Sequence, residues 1–396
     1  MSRPTRFAPL LAVLLLTACL DDPYRVGVHM GPTGGSTAQM VESGINFSGG
    51  AGGRRLTVRV PLQRAVTAYE ATPEMMALAL DSIANDSSLV GIVTRLVDSV
   101  SLEAARKFEA AGVPYITATP MPSDFDRTHP HAFQLVPSTE EQAAFLVDHA
   151  LKLHGGPHRP VIIYLDEDYG KRMARALTDE LTRRGAAPVD TRSYSASVDG
   201  LNLQAIAEEV GVTKKPTVIF WAGRSPSLLE AFPTIRNRLD TIPVFGTDMM
   251  ESYHVYGSPR AYTGLRFVRY QNPMSRDSVI DSFRARLMMW IGRDEITNEA
   301  MLTADAVRMI RDAINGGGVT RESLAAYLKG MGTANPAYNG MVGPIKFDAR
   351  RRANLKMELA EVRWEGIVPA GTPAAVTTPP EDSLPADSAA NTNRNN

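Results

Sequence analysis

Apolar residues alternate with polar ones over Tyr24–Met30, where Val26, Val28 and Met30 share a face, so the first element reads as a strand. Gly31-Pro32 and Gly34-Gly35 then punctuate the chain as a turn. Leu56–Val60 is a second strand. Met75, Met76, Leu78, Ala79 and Ile83 have helical spacing over Glu74–Ala84. Leu89–Val93 is a continuous apolar run, the pattern of a strand buried on both faces. The alternation goes on with helix Leu102–Ala111, strand Val113–Thr117, helix Glu140–Leu153 and strand Val161–Leu165. Helix Lys171–Arg184, a short strand near Ser193, helix Leu203–Val210, strand Thr217–Trp221, helix Ser227–Arg238 and strand Val244–Gly246 complete the series. Strands alternating with helices imply an α/β fold with parallel sheets covered on both faces. Helices Asp277–Trp290, Glu299–Ile314 and Arg321–Lys329 follow, with strands Pro344–Phe347 and Met357–Trp364 near the end.

At Pro369 the composition shifts to Pro, Ala, Thr, Ser and Asn. Such a stretch has too few large apolar groups to bury, and residues 369–396 read as a disordered tail. The 396-residue length exceeds one ordinary core and suggests two domains of roughly 150 residues each. A formal net charge of -1 gives no electrostatic footprint for nucleic acid. The single cysteine, Cys19, rules out an internal disulfide and any multi-cysteine metal or iron–sulfur site.

Arg3 and Arg6 precede an apolar run, Phe7–Leu16, that is well short of the roughly 20 residues a membrane span needs. No later run is long and apolar enough either. Leu16-Thr17-Ala18-Cys19 resembles the lipobox of bacterial lipoproteins. That resemblance implies a signal peptide over residues 1–18, cleavage before Cys19, and lipidation of its thiol. Several acyl chains anchor stably where one would be marginal. An ordinary signal peptide with a chance cysteine is the alternative. Leu20 after the cysteine leaves inner or outer membrane open.

Six segments, in order, resemble the type I periplasmic binding proteins, in particular the branched-chain amino acid and amide receptors of ABC importers. They are Met30-Gly31-Pro32-Thr33-Gly34, the Glu109–Ile116 stretch (the family's EAGIPVIS), Phe133–Ser138, Asp166–Gly170, Gly246-Thr247-Asp248 and Val342–Asp348 (its TGPIRFD). The resemblance runs from about Val26 to Trp364. It implies two doubly wound parallel-sheet lobes joined by three crossover strands, with a solute held between them. Lobe one would take residues 24–136 and 250–341, and lobe two residues 137–249 and 342–368. The helix after the first loop looks shortened, ahead of Gly49-Gly50.

The resemblance also implies a site. A ligand carboxylate would meet the turn Leu96-Val97-Asp98-Ser99, where Asp98 replaces the family's serine and Ser99 stands next to it. At the following turn Thr119 occupies a carbonyl-offering position, and Met121 replaces a ligand-binding threonine. Tyr169 keeps an aromatic, Asp248 keeps the acid that meets a ligand ammonium, and Arg224 replaces a cleft tyrosine. Each has a plainer reading. Asp98 suits a helix N-cap, Tyr169 a packed tyrosine, Arg224 a solvated side chain and Asp248 a turn.

His129, His131, His154 and His158 lack partners at metal-ligand spacing, and no P-loop, nucleophile elbow or zinc-protease motif occurs. No cofactor is implied. The leading reading is a lipid-anchored receptor on the periplasmic side that delivers a small solute to an ABC permease. A ligand-free bilobal regulator of an envelope partner is the alternative, favoured by the altered turns at Asp98 and Met121. An enzyme on the same scaffold is a third reading. The lipobox generates the first test. Cys19→Ser should abolish incorporation of labelled palmitate; unchanged labelling in that variant would exclude the anchor.

Overall fold

The computed structural model describes residues 22–61, 72–153, 158–195, 201–223, 232, 233, 236, 242–271 and 275–373. Cys19, the signal peptide and residues 374–396 lie outside the described residues, as does most of the expected helix Ser227–Arg238.

The first sheet holds β1 (Tyr24–His29), β2 (Leu56–Arg59), β3 (Leu89–Thr94), β4 (Tyr115–Thr117) and β5 (Ala132–Gln134). Its order is β2-β1-β3-β4-β5, and every pair is parallel. The chain then forms β6 (Pro160–Leu165), β7 (Asp190–Tyr194), β8 (Val218–Ala222), β9 (Val244–Gly246) and β10 (Leu265–Arg269). It returns to lobe one with helices Ser278–Ile291, Asn298–Asn315 and Arg321–Lys329 and a hairpin of β11 (Tyr338–Gly340) and β12 (Gly343–Ile345). Finally β13 (Glu358–Arg363) and β14 (Gly366–Pro369) join the second sheet, in the order β14-β13-β10-β9-β8-β6-β7. That sheet is parallel through β10 and antiparallel at β13 and β14. The chain thus passes between the sheets three times. The fold is the mixed α/β, two-lobed arrangement expected.

The lobe boundaries differ from the expected ones. β10 pairs with β9 and β13, so residues 250–269 belong with the second sheet and the chain returns to lobe one only after Arg269. The hairpin β11–β12 is held to lobe one by Asp305 of helix Asn298–Asn315. Tyr338 donates to its Oδ1 at 3.2 Å, and the Met341 amide to its Oδ2 at 2.8 Å. Residues 351–353 run beside Gln134, with the Gln134 amide on the Arg351 carbonyl and the Ala353 amide on the Gln134 carbonyl. The last crossing therefore falls after Ala353 rather than at Val342. At the C-terminus Pro369 closes β14, and Arg363 holds the carbonyls of Thr372 and Pro373, so the fold extends past the expected start of the tail.

The expected turn after β1 is also a helix. Pro32–Phe47 is helical from Pro32 onward, with Gly34 and Gly35 in its first turn. A Cβ at Gly34 would stand 2.5 Å from the Met30 Cβ and 2.8 Å from the Thr303 Oγ1. Close approach of helix Asn298–Asn315 thus requires glycine there, despite its cost in helix propensity.

Burial raises Asp305 to about 6. A carboxyl that binds its proton more tightly when folded makes stability fall as pH rises from about 4 through 6. Asp305→Asn removes that loss and keeps an acceptor for the Met341 amide. The variant should gain on wild type across this window, by roughly 2–3 kcal/mol in denaturant titrations. A constant difference between the two proteins over the window would refute it.

Candidate functional site

In each sheet the strand order reverses once, between β1 and β3 and between β6 and β8. Loops leaving the strand ends part there, which makes the crevice where open α/β sheets bind ligands. The chain at these ends carries His29, Thr94–Asp98, Gly223 and Gly246–Asp248.

The turn after β3 is bonded to its own lobe. Asp98 caps helix Ser99–Ala110: its Oδ1 accepts the Ser101 amide at 2.9 Å, and Ser101 Oγ accepts the Asp98 amide at 3.1 Å. Ser101 Oγ also takes the Val97 amide at 3.0 Å, and Thr119 Oγ1 takes the Leu96 amide at 3.0 Å. Three successive N–H groups that could have met a carboxylate already have partners. Lobe two covers the carbonyls. The Tyr169 amide donates to Val97 at 3.1 Å, and Arg172 Nη2 to Leu96 at 3.2 Å. Ser99 is exposed at the helix start. Met121 is buried in an apolar cluster with Leu80, Phe108 and Tyr115.

Tyr169 and Asp248 come together. Tyr169 donates its hydroxyl to Asp248 Oδ1 at 3.2 Å, and Tyr270 donates to Oδ2 at 2.9 Å. Gln142 Nε2 donates to the Tyr270 oxygen at 3.2 Å. Burial pushes the Asp248 carboxyl up, while Tyr270, Gln142 and Arg95 work against that. Burial likewise pushes the phenols of Tyr169 and Tyr270 well above their ordinary value, so both stay protonated donors. Arg224 lies outside the described residues.

Two further groups were not anticipated. Arg95 follows β3 directly and pairs through Nη1 with Glu299 Oε2 at 3.0 Å. Its Nη2 reaches across to the Met249 Sδ at 2.7 Å, beside Asp248. Glu299 Oε1 also accepts the Gly34 amide at 2.5 Å. His29 ends β1; its Nδ1 lies 3.2 Å from Thr94 Oγ1, and burial lowers it to about 4, so it is neutral near pH 7. A polar residue directly after an apolar strand run could have flagged Arg95. Nothing local to Glu299 places it 204 residues away, at Arg95.

Among the described residues the crevice presents Arg95 between two carboxylates, Glu299 and Asp248, with the guanidinium of Arg172 nearby on the Leu96 carbonyl. Among the described residues no group of three or more His, Cys, Asp or Glu could hold a metal ion.

The sequence profile described as "Periplasmic binding protein" matches residues 27–367. The chain belongs to the periplasmic binding protein family. Membership implies an extracytoplasmic location and a solute-binding role, and the family's members are not enzymes. No curated protein matches the sequence. Among solved structures it is similar to an ABC transporter substrate-binding protein from Desulfitobacterium hafniense in complex with Leu. Identity there is 20%, the match covers 88% of this chain and 100% of the other, and the TM-score is 0.67. It is similar to the branched-chain amino acid transporter substrate binding protein LivJ from Streptococcus pneumoniae in complex with isoleucine, at 16% identity, 87% and 98% coverage and TM-score 0.71. It is also similar to an ABC transporter solute binding protein from R. palustris in complex with benzoate, at 14% identity, 88% and 96% coverage and TM-score 0.73. At these identities the likeness carries the fold.

A cap and a charged ligand contact at Asp98 respond differently to substitution. Asp98→Ala should cost about 1 kcal/mol in unfolding free energy and Asp98→Asn almost nothing, because asparagine caps equally well. Equal losses in both variants, measured by denaturant titration, would mean that the charge rather than the cap matters.

Proposed function

We propose that this chain is the solute-binding component of an ABC importer, tethered through Cys19 and paired with a permease. The family match and the crevice at both strand-order reversals support the reading. Its solute is one whose donor or cationic end meets Asp248 and whose acidic end meets Arg95. The observation that carries the orientation is the turn Leu96–Asp98, whose amides are bonded to Thr119 and Ser101. The described Nη2 contact of Arg95 is to a thioether, a weak acceptor that a carboxylate outcompetes. Leucine, isoleucine and benzoate in the related structures all carry a carboxylate. Here its partner is Arg95, with Arg224 the other candidate cation.

Calorimetry with leucine, benzoate, small amides and polyamines tests this. Arg95→Ala should weaken binding of the carboxylate-bearing ligand by roughly 1.5–3 kcal/mol. Tight binding that ignores Arg95→Ala would remove the proposed pose. A second reading, the ligand-free regulator, is favoured by the bonds from Tyr169 and Arg172 onto the turn, which bridge the crevice with the chain's own atoms. Silence with every compound, and nothing co-purifying by mass spectrometry, would favour that reading.

A further inference from the structure

The strands of the first sheet all start at one end of lobe one, the end away from the crevice. Tyr24 stands beside Leu56 there, and its amide bonds to the Arg55 carbonyl. Helix Pro32–Phe47 starts at the crevice and ends at this base, where Asn46 exchanges two hydrogen bonds with Leu56. Helix Asn298–Asn315 runs the same way, and its Asn315 Oδ1 accepts the Gly52 amide at 2.7 Å. Phe47 is thus carried at the base, and it is 95% exposed. Val319, just past the second helix, is 42% exposed. Arg54 and Arg55 are exposed just before β2, with the Arg54 guanidinium over the Tyr24 ring. The acids nearby include Glu42, close enough to Arg55 to feel its charge, and Asp22, Glu322 and Asp86, the last paired with Arg59.

An almost wholly exposed phenylalanine at the same end of the lobe as exposed arginines has the composition of a membrane-surface contact, with an apolar group for the acyl boundary and cations for phosphate. Chain length says what covers it. Five residue steps separate Cys19 from Tyr24, and an extended chain spans at most about 3.3–3.6 Å per step. Tyr24 therefore lies within about 18 Å of a lipidated Cys19, and it lies on this base.

We propose that the base of lobe one, through Phe47, Val319, Arg54 and Arg55, rests on the phospholipid headgroup surface of the membrane that anchors the chain. This rests on the lipid-anchor reading of Cys19. When it is not engaged with a permease, the anchored chain stands with lobe one against the bilayer and the crevice one lobe's height above it.

Acylation of Cys19 leaves the chain without a free thiol, so one introduced cysteine reports one position. Phe47→Cys, Leu78→Cys and Val212→Cys are each labelled with a polarity-sensitive fluorophore; Leu78 is 72% exposed and Val212 77%. The lipidated proteins are reconstituted in vesicles of phosphatidylethanolamine and phosphatidylglycerol. The emission of the label at position 47 should shift to the blue on anchoring, and the labels at 78 and 212 should not shift. No shift at 47 in a chain that floats with the vesicles overturns this inference and leaves the anchor standing. Shifts at both 47 and 78 also overturn it, because the lobe then lies on its flank. A blue shift at 47 that grows with protein concentration in a soluble Cys19→Ser background identifies a second copy as the occupant, and overturns it too. Failure of the wild-type chain to take up palmitate removes the tether, and the inference falls with the anchor reading.

Discussion

A buried ion pair sits where the chain leaves the second sheet for the first. Arg269, the last residue of β10, places its Nε 3.1 Å from Glu251 Oε1, and both side chains are almost fully buried. Taking two charges out of water costs several kcal/mol each, and the cost is met only when the remaining polar atoms are bonded. Here they are. Tyr256 donates to Glu251 at 2.5 Å and accepts from Arg269 Nη1 at 2.5 Å, while Arg269 Nη2 donates to the Ile296 carbonyl at 2.8 Å. Glu251 Oε2 accepts the amide of Asn298, the first residue of helix Asn298–Asn315. That helix start also carries Glu299, which holds Arg95 and the Gly34 amide. One charged pair in lobe two thereby fixes the position of the helix end that shapes the lobe-one wall of the crevice.

The same pair explains why this part of the fold is poorly legible in the sequence. Leu265-Arg266-Phe267-Val268-Arg269 has arginines where an interior strand usually has apolar residues. Arg266 pairs across the sheet with Glu361 of β13, and Arg269 is neutralised by Glu251. Both partners are distant in sequence, so local pattern does not single out the strand, and the lobe boundary slips from 270 to 250. Strands buried on both faces, such as β3, β6 and β8, are legible because an unbroken apolar run needs no distant partner. Gly34 reads as part of a turn because its reason lies in Thr303 and Glu299 of a helix far along the chain.

The crevice divides along the same line. Tyr169 and Asp248 are found from motifs that the sequence carries locally, and they meet. The Asp98 cap and the bonds from Thr119 and Ser101 are local as well, but whether a polar side chain faces its own backbone or a ligand is a rotamer choice that the sequence leaves open. Arg95 and Glu299 are a contact between residues of distant segments, and only the folded chain brings them into one wall.

The bonds that lobe two makes on the turn carbonyls have a kinetic side. A solute that takes the turn carbonyls must displace the Tyr169 amide from Val97 and Arg172 from Leu96. Two such bonds have a net worth of roughly 1–3 kcal/mol, so the separated form is a minority of about one molecule in five to one in a hundred and fifty. Such a solute then binds with its intrinsic affinity divided by that ratio, and its association rate carries the same factor. Arg172 acts on this balance directly, because its guanidinium makes one of the two bonds that hold the lobes together there.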